Sequence, residues 1–334
     1  MSKRTAKLAL KVGVTLAAVL WIGLKVNWGA IGSAFARIPF STWALVWGGF
    51  LAGHALGIFK WRYNVNLGMG EGRARLRPLD AVQCYSAGMF ANLCLPSIVG
   101  GDALKAVLAA RVTGRAEAAV LGGLTERLID TLALLVLIVA GALWSKGTMP
   151  NWAQSVVQVG AVLAIGGALL ALPLVLRTKL ARWPKKLRRT AGRSMVALRR
   201  VLVRPHRALV VFALSLVIQA WFVLLNRELG IAIGVEAPLA VWFFCVPMTK
   251  AITLAPLSVG GLGLREATLA GFLFAMAAVP EVDGVASSLL WQSILIATGL
   301  VGGALWFVLG LRAEARTGGG RDSLFKLNGS PSRG

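Results

Sequence analysis

Acidic residues are scarce in this 334-residue chain. Only 13 Asp and Glu stand against 36 Lys and Arg, and charged residues of both signs make up 15% of it. An average soluble domain carries roughly 25%, and a soluble protein of this length could not cover its surface with so few charges. Cysteine is scarce too. Cys84, Cys94 and Cys245 lie in apolar stretches without CxxC spacing, so neither a zinc site nor a disulfide framework is implied. Two histidines, His54 and His206, are too few for a His-rich metal centre. Two Tyr against twelve Trp suggest anchoring at a membrane interface, with buried packing accounting for some of the Trp.

What the chain has instead is apolar mass. Hydrophobic residues make up 57% and Gly adds another 39 positions, while mean hydropathy is +0.73. This is the composition of a polytopic membrane protein. The net charge of +23 first suggests nucleic acid, but its distribution argues otherwise. Residues 177–207 hold twelve cations and no acid, between two hydrophobic spans. That is the pattern of a cytoplasmic loop under the positive-inside rule, which can also rest on anionic lipid headgroups. No nucleic-acid partner is expected.

A span needs about 20 apolar residues. Six are predicted, at 8–26, 41–59, 120–143, 154–176, 208–226 and 286–311. The first lacks a clean small-residue cleavage site and is read as a retained helix rather than a signal peptide. The basic loops after 41–59 and 154–176, and the basic tail after 311, place both termini in the cytoplasm; the many Ala, Gly, Arg and Trp suggest a bacterium, and so a bacterial plasma membrane is expected. The Gly/Ser-rich segment 317–334 reads as a disordered cytoplasmic tail. Two regions, 80–113 and 240–280, must each begin and end on one side, and each is interrupted by Pro and a Gly pair. Each is either two spans or a hairpin that enters and returns, and re-entrant helix–break–helix hairpins, one entering from each side, are the favoured reading. Such backbone is tolerated at membrane depth only inside protein or beside a wet cavity. The fold class is therefore all-α, with about six full transmembrane helices plus two re-entrant hairpins.

The interruptions resemble each other. Pro96-Ser97-Ile98-Val99-Gly100-Gly101-Asp102-Ala103-Leu104-Lys105 aligns without a gap on Pro256-Leu257-Ser258-Val259-Gly260-Gly261-Leu262-Gly263-Leu264-Arg265. Flanking spans pair in the same order with opposite predicted orientation, as in an inverted-topology repeat. Residues 1–150 and 151–316 form its halves, and paired interrupted segments point to a transporter's site. Pro ends the entering helix, and the Gly pair allows close approach of a ligand. A new helix is expected from about Asp102 and from about Leu262, its N-terminal N–H groups turned toward mid-membrane. Lys105 and Arg265 add full positive charge there. The combination suits a lipid phosphate, although close helix packing is an alternative role for the Gly pairs.

Intramembrane charge costs roughly 2.5–3.5 kcal/mol on insertion scales and usually has a partner or a cavity. Glu126 and Asp130 share a face at i,i+4, with Arg127 one residue round; an interfacial cluster near the cytoplasmic end is the alternative. Glu266 follows Arg265, and Lys250 precedes the second break. Asp102 also suits a helix start, where capping would account for it. Lys60-Trp61-Arg62 reads as an interfacial anchor, and His54 as a hydrogen-bonded core residue.

Lys60-Trp61-Arg62, the two Gly-Gly stretches and Glu126-Arg127-Leu128-Ile129-Asp130 together resemble the lysylphosphatidylglycerol synthase transmembrane region, a flippase-like family of multi-pass proteins. The resemblance covers about 8–311, and Lys105 stands where the family more often has Arg. It implies translocation of a lipid between leaflets. Two-domain members carry a soluble aminoacyl-transferase after the membrane part; none is expected here, so lipid aminoacylation is not. The expected site comprises Pro96, Gly100, Gly101, Asp102, Lys105, Glu126, Arg127, Asp130, Pro256, Gly260, Gly261, Arg265 and Glu266. The expected partners are membrane lipids with anionic headgroups, and a homo-oligomer is compatible with the sequence. No cofactor or metal is expected. A transporter, an integral-membrane transferase acting on a lipid phosphate (with Asp102, Glu126 and Asp130 holding a divalent metal) and a non-catalytic assembly protein remain open at this point.

Overall fold

The computed structural model describes residues 28–69, 75–94, 98–145, 205–254 and 263–316, with 147, 155 and 166 as isolated positions. These residues form helices and no strand. In chain order they are α1 (Trp28–Arg37), α2 (Phe40–Met69), α3 (Pro78–Cys94), α4 (Ile98–Thr113), α5 (Ala116–Trp144), α6 (Pro205–Ala232), α7 (Leu239–Leu254), α8 (Leu264–Ala277) and α9 (Glu281–Arg316). Proline sets many of the starts. Pro78 and Pro205 open α3 and α6, while α2, α7 and α9 begin directly after Pro39, Pro238 and Pro280. A fixed φ and a missing N–H cost nothing in the first turn of a helix, where no intrahelical acceptor exists.

Four of these helices are long and apolar enough to cross a membrane: α2, α5, α6 over His206–Ala232 and α9 over Glu281–Leu311. They contain the predicted spans 41–59, 120–143, 208–226 and 286–311. The predicted spans 8–26 and 154–176, most of the basic block and the tail 317–334 lie outside the described residues. α2 has 30 residues, about 45 Å at 1.5 Å per residue, and overshoots a hydrocarbon layer of about 30 Å. Lys60-Trp61-Arg62 is accordingly not the end of the helix. Lys60 and Trp61 are buried, which corrects the reading of this triplet as an interfacial anchor.

Both interrupted regions consist of two short helices around a break. α3 and α4 have 17 and 16 residues, and α7 and α8 have 16 and 14. At about 21–26 Å, each is shorter than a hydrocarbon layer. The restarts differ from expectation. α4 begins at Ile98 rather than near Asp102, so Gly100 and Gly101 lie in its first turn. α8 begins at Leu264, behind Gly263, whose φ of 78° requires a residue without Cβ.

Packing exchanges partners along the chain. α3 lies along α9 and α7 along α5, while α4 packs on α5, α8 on α9, and α2 on α6. Small residues let these backbones approach. A Cβ on Gly101 would meet Gly88 O at 2.3 Å, and one on Gly53 would meet the Phe222 ring at 2.4 Å. The α5–α7 contact depends on Gly141, where a Cβ would lie 2.6 Å from Phe243 C and O and from Phe244 N. Phe243 O faces the N-less Pro247 one turn on, inside α7. Backbone atoms cannot swing aside as a side chain would. Gly141→Ala is therefore expected to lower stability in detergent by about 1–3 kcal/mol, read as a lower unfolding temperature. Gly123→Ala, whose added methyl meets nothing within 4 Å, is expected to be neutral or stabilising by up to about 1 kcal/mol.

Candidate functional site

Six charged side chains meet between α2, α4 and α5. Glu126 and Asp130 project from one face of α5, and Asp102 and Lys105 stand one turn apart on α4. Lys105 Nζ donates to Glu126 Oε2 at 3.0 Å and lies 3.3 Å from Asp102 Oδ1. Lys60 Nζ, from α2, donates to Asp130 and stands 3.6 Å from Glu126 Oε1. The Arg127 guanidinium grips Asp102, with Nε 2.6 Å from Oδ2. Ser215 of α6 adds a hydroxyl that donates to Asp130 at 2.6 Å and accepts from Lys60 at 3.2 Å. Lys105 Nζ also sits over the Trp61 and Tyr85 rings, 5.1 and 4.8 Å from their centres. Three cations and three carboxylates make the cluster neutral, as desolvated charge must be if it is not to be strongly destabilising.

A cavity of about 350 Å³ opens beside this cluster. It reaches the last residues of α3 and α7 (Asn92, Leu93, Thr253, Leu254) and the first turn of α8 (Arg265), and so lies against both breaks. Further walls come from α2, α5 and α7 and from single faces of α6 and α9. Gln219, Phe222, Val223 and Asn226 follow helical spacing on α6, as do Ser288, Trp291, Gln292 and Leu295 on α9. Two cations line it. Lys250 Nζ donates to Gln219 Oε1 at 3.2 Å, and Arg265 donates to Gln292 Oε1 at 2.5 Å. These partners are neutral carboxamides, and among the described residues no carboxylate is in the lining. Phe50, His54, Phe222 and Trp291 form an aromatic wall, with Phe50 4.6 Å from His54 and from Phe222 and 5.0 Å from Trp291, centre to centre. Gln219 ties cavity to cluster, because its Nε2 donates to the Asp130 carbonyl at 2.7 Å.

The expected site residues divide accordingly. Asp102, Lys105, Glu126, Arg127 and Asp130 belong to the neutral cluster, and Lys105 is held by acids rather than turned into the cavity. Asp102 lies beyond the first turn of α4 and serves as an ion-pair partner, so capping does not account for it. Gly101 is a packing residue whose N–H donates to Asn92 Oδ1 at 3.1 Å; Gly100 is half-buried beside it. Arg265 lines the cavity. Glu266 secures the start of α8, its Oε2 accepting the Gly263 N–H at 2.6 Å. Pro96, Pro256, Gly260 and Gly261 lie outside the described residues. His54 takes part in a hydrogen bond with the Tyr85 hydroxyl at 3.3 Å and also faces the cavity. Sequence reasoning noted Lys250 without assigning it to the site, and passed over Asn92, Gln219, Asn226 and Gln292. The available signal was the helical spacing of carboxamides and hydroxyls inside apolar spans.

Among the described residues no three His, Cys, Asp or Glu side chains come together as metal ligands, and Asp102, Glu126 and Asp130 are each engaged by Lys or Arg. Removing one charge from the cluster strands its partner. Glu126→Gln is expected to cost about 3–5 kcal/mol, as for other broken buried pairs. Asp80→Asn, which breaks an exposed pair with Arg77, is expected to cost less than about 1 kcal/mol. Thermal unfolding of the two variants in detergent measures the difference.

No curated protein and no solved structure matches the chain. A family model does, over residues 8–303 of 334, and it describes the lysylphosphatidylglycerol synthase TM region. With four helices among the described residues able to cross a membrane, and with that match over most of its length, the chain is a multi-pass, lipid-associated membrane protein of the lysylphosphatidylglycerol synthase TM region family.

Proposed function

We propose that the protein carries anionic lipid headgroups between leaflets through the cavity beside the two breaks, the acyl chains remaining in the bilayer. The observation that carries this reading is a pair of membrane-depth cations, Lys250 and Arg265, that face open space and bond only neutral carboxamides among the partners given above. Charge at that depth without a direct ion pair is costly and marks a substrate path. A volume of about 350 Å³ is at the small end of ligand pockets, roughly 300–1,000 Å³. It suits a headgroup rather than a whole lipid.

The exchange of packing partners supports an inverted repeat. Swapping α2 with α6, α3 with α7, α4 with α8 and α5 with α9 maps α3–α9 onto α7–α5, α4–α5 onto α8–α9, and α2–α6 onto itself. The α3–α4 and α7–α8 arms are then re-entrant hairpins, and the site lies at the interface of the halves, as in transporters built this way. Both termini are cytoplasmic in this reading, in a bacterial plasma membrane. The Arg37–Asp283 ion pair at 3.2 Å joins the chain before α2 to the start of α9 on the external side. The neutral cluster fixes α2, α4, α5 and α6 around the path. It leaves Lys105 a scaffolding role and Arg265, with Lys250, the headgroup contact.

The test is leaflet exchange of a chain-labelled anionic phospholipid in proteoliposomes. A charge-assisted hydrogen bond contributes about 1.5–3 kcal/mol, and each 1.4 kcal/mol is tenfold. Lys250→Met and Arg265→Gln, purified as monodisperse protein, are each expected to slow exchange about tenfold or more. Exchange at the parental rate in both variants contradicts the proposal.

A further inference from the structure

We infer that His54 is a proton-binding residue of the transport site, taking up a proton as an anion enters the cavity, so that anion and proton cross together. The inference rests on the transport reading above and names what travels with the headgroup. It starts from a placement. Phe50 and His54 lie one turn apart on α2, and both line the cavity that Lys250 of α7 and Arg265 of α8 also line. A side chain that changes charge between about pH 5 and 8 therefore shares open space with two cations.

The half-buried ring is held in place. Phe50 meets it edge-on with centres 4.6 Å apart, and the Phe222 ring lies 5.6 Å away. Nδ1 shares a hydrogen bond with the Tyr85 hydroxyl of α3 at 3.3 Å. Gly57, three residues on along α2, makes that approach possible, because a Cβ there would stand 2.8 Å from the same hydroxyl oxygen. Nε2 has no hydrogen-bond partner among the described residues.

The charges around the ring come from four helices. Lys250 and Arg265 stand in the cavity wall. Lys105 of α4 lies beyond Tyr85, its Nζ 4.8 Å from the centre of that ring, and is paired with Asp102 and with Glu126 of α5. Asp130, also of α5, is paired with Lys60. The side chains that α6 and α9 bring to the lining are neutral. The carboxylates near His54 are thus engaged, while the charges that share its cavity are positive. In the empty cavity a third positive charge meets like charge and no carboxylate in the described lining. A phosphate anion held by Lys250 and Arg265 reverses this, since an opposite charge nearby favours the protonated ring. Linkage makes the effect mutual: a protonated His54 raises the affinity for the anion by the same factor. The sign follows directly, and the anion binds more tightly as pH falls.

The charge balance is simple. A phosphate diester brings one negative charge and His54 takes one proton, while Lys250 and Arg265 keep their own charges. The cavity therefore carries the same net charge empty and loaded. The proton is taken from the side on which the anion enters and released on the other. Movement of the pair is electroneutral, so it follows a pH gradient and not a membrane potential.

The experiment is calorimetric titration of the purified protein in detergent with dimethyl phosphate, whose charge is constant across this range. It is run at about pH 5.5 and about pH 7.5, in buffers of different ionisation enthalpy. The expected result is proton uptake on binding, read from the buffer dependence of the heat. Affinity is expected to be about fivefold or more tighter at the lower pH, the low end of ordinary coupling between sites. His54→Gln is expected to bind without proton uptake and with one affinity at both pH values. No binding, or binding without uptake by the parental protein, overturns the inference whatever the fate of the variant. Uptake that persists in His54→Gln overturns it too, and assigns the proton to another group such as Lys250. In proteoliposomes, measured against protein-free vesicles, a pH gradient is expected to draw a labelled acidic phospholipid into the leaflet facing the alkaline side. A response to an imposed potential alone overturns electroneutral co-transport. Uptake that depends on His54, without leaflet exchange, upholds the proton site and overturns the transport reading; exchange without uptake does the reverse.

Discussion

An ionised side chain at membrane depth has to be neutralised by a partner or held for a ligand, because its insertion costs roughly 2.5–3.5 kcal/mol when neither is present. The architecture follows from how that constraint is met. Lys60, Lys105 and Arg127 are matched by Asp102, Glu126 and Asp130, so α2, α4 and α5 are fastened by ion pairs, of which those of Lys60 and Lys105 with Glu126 are buried and strengthened by low-dielectric surroundings. Ser215 extends the fastening to α6. Lys250 and Arg265 are left with carboxamide partners and a cavity. Gln219, bonded to both Lys250 and the Asp130 carbonyl, fixes the spacing between the neutral set and the cationic one.

Helix association in lipid draws on close packing more than on the hydrophobic effect, and the glycines supply it. Gly88 and Gly101 bring α3 against α4, Gly53 brings α2 against α6, and Gly141 brings α5 against α7 at the carbonyl next to Pro247. Because α3 lies on α9 and α7 on α5, the ends of both short-helix pairs arrive at the same place. The cavity sits there, with walls from both parts of the chain. Close approach of backbones elsewhere leaves room for open space at the breaks.

Much of this was legible before any coordinates. Long apolar runs marked α2, α5, α6 and α9, and Pro with paired Gly marked both interruptions, because hydropathy and missing donors are local properties. Arg265 was legible as a cation just past a break. The restart at Ile98 was not, since glycines that signal an interruption are tolerated in a first turn. Nor was the burial of Lys60: a Lys-Trp-Arg triplet reads as an anchor until a carboxylate on another helix is known to reach it. Lys105 and Glu126 are separated along the chain, and nothing local announces that one neutralises the other. Gln219, Asn226 and Gln292 look like ordinary polar residues in apolar helices. Their meaning is tertiary, because they share one cavity.

The central claim is that Lys250 and Arg265 are held for an anionic headgroup. The most direct test is an experimental structure of the protein in lipid discs containing an acidic phospholipid. The account predicts headgroup density within hydrogen-bond reach of Lys250 Nζ and the Arg265 guanidinium, between α6, α7 and α9. A dry seam there, with side chains filling the space and both cations paired to carboxylates, would contradict it.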